Sequence, residues 1–470
     1  MVAEHRAVIA AGRARSAGWA ALVVAAALGC AAGGPEPRDP PAGPGAPGGP
    51  GGSDATEAAI ARAVDAGNPA AIALLERIVN INSGTMNLAG VREVGAVLRA
   101  ELDALGFTTR WVEGAAFGRA GHLVAEHRAA GPHLLLIGHL DTVFEPSSPF
   151  QRFERVSDTA ARGPGVIDMK GGDVIIVHAL RALRAAGALD RMAITVVMNG
   201  DEEHPGEPLA EARRALIDAA AGAAAAIGFE DGAGDPRLAN IARRGAASWT
   251  LRSTGTPAHS SQIFRDDVGP GAIFEAARVL EAFRVRLAGQ PYLTFNPGVV
   301  LGGTAVTLDA PHNQGSAAGK LNVVAKELVV QGDLRTLSPE QLAQVQGTMR
   351  EIVAQPLPHT ASAIEFDIGY PPMAPTDGNR ELLALYDAIS RELGLGPVTA
   401  VDPLKTGAAD VSFVAARVPM ALDGIGLSGV DDHTDRETAD LRMLPAQTKR
   451  AAVLLYRLGK RSTRRPAPRP

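Results

Sequence analysis

The sequence is short of the residues that build the most distinctive sites. It has one cysteine in 470 residues, Cys30. That excludes an intrachain disulfide and any thiolate-rich metal centre. A metal held by this chain must rest on histidine and carboxylate. Aromatic residues make up only 4%, so the core has to be assembled from Ala, Val, Leu and Ile. Positive charge is not in excess either: the net charge of −5 removes the electrostatic case for a nucleic-acid partner. The most apolar N-terminal run, Trp19 to Leu28, is too short to span a bilayer comfortably.

What is present at the N-terminus reads as processing rather than fold. Arg6, Arg13 and Arg15 precede that apolar run, and Ala27-Leu28-Gly29-Cys30 follows. Residues 1–30 are therefore expected to be an export signal whose small residues before Cys30 are similar to a bacterial lipoprotein cleavage box. Residues 31–53, almost wholly Gly, Pro and Ala, read as a disordered tether. Residues 460–470 read as a basic disordered tail. The expectation is an exported protein, periplasmic or on the outer cell surface, touching the membrane only through a lipid on Cys30.

The remaining length exceeds one ordinary core, so two domains are expected. Helical patterns at 54–80, 88–105 and 170–187 alternate with strands near 108–112, 122–126, 134–139, 192–198 and 223–229. This alternation predicts an α/β domain. Residues 208–221 read as one helix. The texture changes near Gly245: strand 247–253, helix 271–287, strand 298–308, strand 328–335, helix 338–354 and strand 363–368. That β-α-β-β-α-β order is the ferredoxin-like signature. The α/β pattern resumes with a helix at 380–393, a strand near Met420 and a last helix at 446–458. The expected organisation is a catalytic domain in two parts, 54–244 and 372–459, with an α+β domain inserted at 245–371.

Leu134 to Val143 is the stretch the rest of the chain is organised around. An unbroken apolar run suits a buried parallel strand, and it ends in His139 and Asp141. Residues two apart on a strand share a face, so imidazole and carboxylate emerge together at the sheet edge where α/β folds place ligands. Asp168, Glu202, Glu203 and Glu230 end other elements of the same domain, and His433 lies in a polar stretch, 431–435. Two histidines and several carboxylates suit zinc, manganese or cobalt. A carboxylate can bridge two metals, and of two adjacent glutamates one can bind while the other stays free as a base.

The sequence resembles the M20 family of metallopeptidases, most of all the glutamate carboxypeptidase type and its relatives acetylornithine deacetylase and succinyl-diaminopimelate desuccinylase. The matching pieces are Gly138-His139-Leu140-Asp141-Thr142-Val143, residues 163–172, Asp201-Glu202-Glu203, Phe229-Glu230, Ala258-His259-Ser260, Gly332-Asp333-Leu334-Arg335 and Gly407-Ala408-Ala409-Asp410. They occur in family order over residues 55–460. The resemblance implies a di-zinc exopeptidase-type catalytic domain with an inserted lid and dimerisation domain. It implies two divalent metal ions, zinc or else manganese or cobalt. His139, Asp168 and Glu230 would hold one ion, with Asp168 bridging to a second on Glu203 and His433. Asp141 would orient His139, and Glu202 would be the general base. His259, from the other subunit of a homodimer, would polarise the scissile carbonyl. Arg335, Asn322 and the main chain at Gly407 would hold the substrate, Arg335 through the bidentate fork that Lys cannot offer.

The implied reaction is hydrolysis of an amide next to a free carboxylate, in a small peptide or an N-acyl amino acid. The alternatives are a non-catalytic peptide- or amino-acid-binding lipoprotein on the same fold, and an N-deacylase of the same family. Three features depart from the family pattern: Ala409 where Ser or Thr is common, Pro164 in the Gly-rich loop, and His204-Pro205-Gly206 after the paired glutamates. None touches an expected ligand.

Overall fold

Leu134, Leu135, Leu136 and Ile137 alternate between two apolar environments, and that double burial fixes the main sheet. Leu134 and Leu136 pack into a cluster with helices Ala55–Val79, Lys170–Ala185 and Met443–Gly459. Leu135 and Ile137 face the opposite cluster with Leu216, Val411 and Val414. The structure, a computed structural model, describes residues 54–231, 234–309 and 313–461, the side chain of Ile368 excepted. The expected signal segment, Cys30, the Gly/Pro tether and nearly all of the basic tail lie outside the described residues.

The main sheet has six strands in the order Thr108–Glu113, Gly121–His127, Ala193–Asn199, His133–His139, Ala225–Gly228, Ala421–Leu422. The first two pairings are antiparallel and the last three parallel. Three neighbouring parallel strands thus end on one edge, at His139, Asn199 and Gly228. This mixed α/β arrangement agrees with the sequence reading.

Residues 246–370 carry a second sheet, fully antiparallel, in the order Thr294–Gly303, Glu327–Arg335, Ala246–Gly255, Thr360–Tyr370. Helices Gly271–Leu287 and Pro339–Val353 pack on one face over Trp249, Leu251 and Val330, with Val279, Phe283 and Met349 as their own contributions to the cluster. The chain enters and leaves this sheet through a neck. Arg243 N donates to Met373 O at 3.0 Å, and Met373 N donates to Arg243 O at 2.9 Å.

Two expectations need correction. The strand expected at 298–308 is two strands, Thr294–Gly303 and Ala305–Asp309, the second paired with Gln314–Ala318. A Cβ on Gly303 would lie 2.5 Å from Ala318 O, so the break falls at a glycine the crossing chain requires. The helix expected at 208–221 is also two pieces, Leu209–Ala212 and Arg214–Ala219. The interruption at Arg213 turns its guanidinium into the protein interior, where it has no exposure. A small sheet went unread: Gly429–Val430, Thr438–Asp440, Ala160–Arg162 and Glu154–Ser157. Strands of two to four residues carry too little periodicity to be seen in sequence.

Candidate metal centre

The parallel strands deliver acids and imidazole to one edge. His139 is the last residue of its strand, Asp201-Glu202-Glu203 follow the strand that ends at Asn199, and Glu230 follows the one that ends at Gly228. Asp168 comes from the Gly-rich loop before helix Lys170–Ala185. In that loop Gly165 has φ +72°, and a Cβ there would sit 2.5 Å from Thr142 Cγ2. His433 sits on the hairpin between strands Gly429–Val430 and Thr438–Asp440, with φ +57°, in the left-handed region. The hairpin's strand Thr438–Asp440 pairs antiparallel with Ala160–Arg162.

Two triads result, sharing one residue. His139, Asp168 and Glu230 offer one set of donor atoms, and Asp168, Glu203 and His433 the other, each set within 4.8 Å. His139 Nε2 lies 3.1 Å from Asp168 Oδ1 and 3.7 Å from Glu230 Oε1. His433 Nε2 lies 2.9 Å from Asp168 Oδ2 and 3.2 Å from Glu203 Oε2. His139 Nδ1 contacts Asp141, 3.1 Å from its carbonyl and 3.4 Å from Oδ1. A proton on Nδ1 therefore points at Asp141 and leaves Nε2 for the triad. His433, its side chain 51% exposed, is the solvent-facing side of the pair.

Asp141 does more than orient the ring. Fully buried, it accepts Thr85 Oγ1 at 2.6 Å and the main-chain N–H groups of Glu202 and Glu203 at 3.0 and 3.1 Å. Burial works against its charge, but the hydrogen bond and charge of His139, helped by the Thr85 and Glu202 bonds, keep its carboxyl below the usual range. Glu437 plays a matching part for the other triad. It is buried and accepts N–H groups of Gly165, Ile167 and Asp168 at 2.9, 2.8 and 3.1 Å. The His433 hairpin is thereby tied to the loop that carries Asp168. Thr85 and Glu437 carried no signal in sequence, because each is a single residue of common type far along the chain from its partner.

The electrostatics are those of too many acids for the cations present. Burial, then the charge of Asp168, pushes Glu203 up to about 7. Burial also pushes Glu230 up to about 7 despite the nearby imidazole of His139. Burial and the charge of Glu230 hold Glu202 well above the ordinary range. Hydrogen bonds to Asp168 and Glu203 raise His433 to about 11. Burial opposes a charge on His139, but Glu230, Asp141 and Asp168 outweigh it and hold the ring well above its usual value. Glu203 Oε1 is buried with no hydrogen-bond partner. Imidazole and carboxylate donors, a shared acid and an orphaned carboxylate oxygen fit a pair of divalent cations. Glu202 belongs to neither triad.

The other expected site residues stand elsewhere. His259 is exposed, and its Nδ1 is 2.8 Å from Ser261 Oγ. Asn322 lies beside it: Ser260 N donates to Asn322 O at 2.9 Å, and Val323 N closes a turn onto Lys320 O. Arg335 Nε bonds Asp333, at 2.9 and 3.1 Å to its two carboxylate oxygens. Gly407 gives its carbonyl to Arg243 Nη1 at 3.0 Å. None of the four belongs to either triad in the described chain.

The donor set makes a pH prediction. A divalent ion such as zinc would have to displace the proton that His433 holds below about pH 11 and, below about pH 7, those on Glu203 and Glu230. Affinity should therefore fall as pH falls. One displaced proton over two pH units is about a hundredfold, so zinc should bind at least that much more weakly at pH 6 than at pH 8. Competition with a chromophoric chelator measures it, and a pH-independent affinity would contradict these ligands.

With this geometry in place, likeness to known proteins is informative. The profile of Peptidase family M20/M25/M40 matches residues 135–457. The chain is 28% identical over 396 residues to carboxypeptidase G2 of Pseudomonas sp. (strain RS-16), covering 83% of this chain and 90% of that protein. Its fold is similar to that of aminopeptidase PepT from Bacillus cereus ATCC 10987, with TM-score 0.65, 18% identity and coverage of 84% and 99%. The Bacillus subtilis YXEP protein, a dinuclear metal-binding peptidase of family M20, superposes with TM-score 0.57 and 14% identity over 84% and 99%. The chain therefore belongs to peptidase family M20/M25/M40 and is a metallohydrolase of that family.

Proposed function

We propose that the protein hydrolyses an amide bond beside a free carboxylate, in a small peptide or an N-acyl amino acid, with two divalent ions, zinc in the first place. The carrying observation is the pair of triads joined at Asp168, with Glu202 next to Glu203 yet outside both. The relationship to carboxypeptidase G2 favours a carboxylate-bearing substrate. In this reading His139, Asp168 and Glu230 hold one ion, and Asp168, Glu203 and His433 the other. Bound there, such a pair supplies Lewis-acid polarisation and a nucleophilic water at neutral pH. Asp141 keeps His139 in one tautomer and fixes the main chain of both glutamates. Glu202 takes a proton from the attacking water on its carboxylate and delivers it to the leaving nitrogen. Arg335, once released from Asp333, and Asn322 pair with the substrate carboxylate, and the main chain at Gly407 lines the same pocket.

The exposed position of His259 favours a role in a second copy's site. Residues 245–371 would then serve as lid and dimer interface, and their helix Gly271–Leu287 and loops carry the exposed apolar side chains Phe264, Ile273, Phe274 and Leu321. Sedimentation should give twice the chain mass, and a monomer that retains full activity would remove His259 from the mechanism. Cys30 is the proposed lipid anchor of an exported protein. Cys30→Ser should release the protein from the membrane fraction, and unchanged membrane retention would refute that anchor.

The reaction itself is tested with zinc-loaded protein from Asp54 onward. Substrates are C-terminally varied dipeptides and N-acyl amino acids, each with a carboxyl-amidated control. Cleavage should require the free carboxylate and cease with chelator. Glu202→Gln should retain two metals and lose about 10²- to 10⁴-fold in kcat. Peptide capture without cleavage by the zinc-loaded protein would favour a binding protein instead.

A further inference from the structure

A buried polar network lies beneath Glu202, and neither the metal triads nor the proposed substrate contacts use it. Its centre is Arg213, wholly buried and placed by the break between two short helices. Nη1 donates to Asp201 Oδ1 at 2.6 Å, and Nε donates to Asp410 Oδ1 at 2.7 Å. Nη2 donates to Asp201 O at 3.1 Å and to Tyr370 Oη at 2.8 Å. Asp410 also accepts Asn199 Nδ2 at 2.6 Å, and Asp201 Oδ2 accepts Gly206 N at 2.8 Å. The guanidinium sits against the rings of Tyr370 and Phe413, 5.6 and 5.4 Å from their centroids. Arg213 thus holds Asp201 at the start of the turn carrying Glu202 and Glu203, and Asp201 in turn holds Gly206 at its end.

Tyr370 adds the contact that matters. Its hydroxyl accepts from Arg213 and donates to the main-chain carbonyl of Glu202 at 2.9 Å. The N–H of Glu202 is already committed to Asp141 Oδ1. The peptide groups on both sides of this residue are thus fixed, one by the acid that orients His139 and the other by Tyr370. Tyr370 is also the last residue of the outermost strand of the inserted sheet, three positions before the neck residue Met373. Asp141, Arg213 and Tyr370 all hold the Glu202 turn, and of the three Tyr370 is the one on the inserted sheet.

We propose that Tyr370 is a positioning residue whose Arg213-held hydroxyl makes the placement of the Glu202 carboxylate depend on how the inserted sheet is seated. This rests on Glu202 being the base of the reaction proposed above. A carboxylate displaced by about 1 Å from its working position can lose on the order of a hundredfold in rate. The change would appear in kcat and not in substrate binding.

Tyr370→Phe removes the hydroxyl and keeps the ring that packs on Arg213 and Phe413. In the zinc-loaded protein, kcat should fall about 10- to 100-fold, with KM and two zinc ions per chain retained. Hydrogen exchange of the peptide spanning 200–207 should accelerate, and that of the main-sheet strands should not. A kcat within twofold of the parent, or unchanged exchange at 200–207, would overturn the proposal. Exchange is read without substrate. If the parent cleaves nothing, the hydrolase reading fails while the Tyr370 contact is still tested. Loss of zinc together with loss of thermal stability would assign Tyr370 to the fold alone and also overturn it.

Discussion

The constraint on which this structure depends is the crowding of carboxylates at one sheet edge. Asp141, Asp168, Glu202, Glu203 and Glu230 meet there, with two imidazoles as their nearest positive partners. Like charges in a poorly solvated pocket raise one another's pKa. Glu203 and Glu230 each stand at about 7. At 1.36 kcal/mol per unit, ionising either in place costs about 3 kcal/mol more than in water. Nothing in the apolar core offsets that. Divalent cations would, and Glu203 Oε1, buried without a hydrogen-bond partner, offers one of them a donor.

Crowding has to be enforced, and main-chain hydrogen bonds enforce it. Asp141 takes the N–H groups of both glutamates, and Glu437 takes three N–H groups of the loop that ends in Asp168. Each is a buried carboxyl that accepts several peptide N–H groups, so the backbone itself resists relaxation of the cluster. Arg213 closes the system from below, balanced by Asp201 and Asp410. The result is a rigid donor set with one exposed side, at His433. Through the Tyr370 hydroxyl, 2.9 Å from Glu202 O, the inserted sheet touches the turn that carries both glutamates.

Much of this was legible because it sits at the ends of patterned elements. His139 and Asp141 end an apolar run, Glu202 and Glu203 follow another, and Glu230 a third. The main-sheet strands were visible for the same reason: double burial writes continuous hydrophobic stretches. The sheet that holds the His433 hairpin was not, since its strands are too short to show a period. The supporting residues were silent for a different reason. Thr85, Arg213, Tyr370 and Glu437 reach partners far along the chain, and single residues at such separations leave no spacing to read. Arg335 shows the limit from the other side. Its type suits a carboxylate, yet within the described chain its partner is Asp333, two residues away on the same strand face.

The central claim is that two cations occupy this edge, one on each side of Asp168. The most direct test is anomalous diffraction at the zinc edge from crystals of the zinc-loaded protein. Two peaks are expected, one in contact with His139, Asp168 and Glu230, the other with Asp168, Glu203 and His433. A single peak, or two peaks that do not share Asp168, would contradict the account.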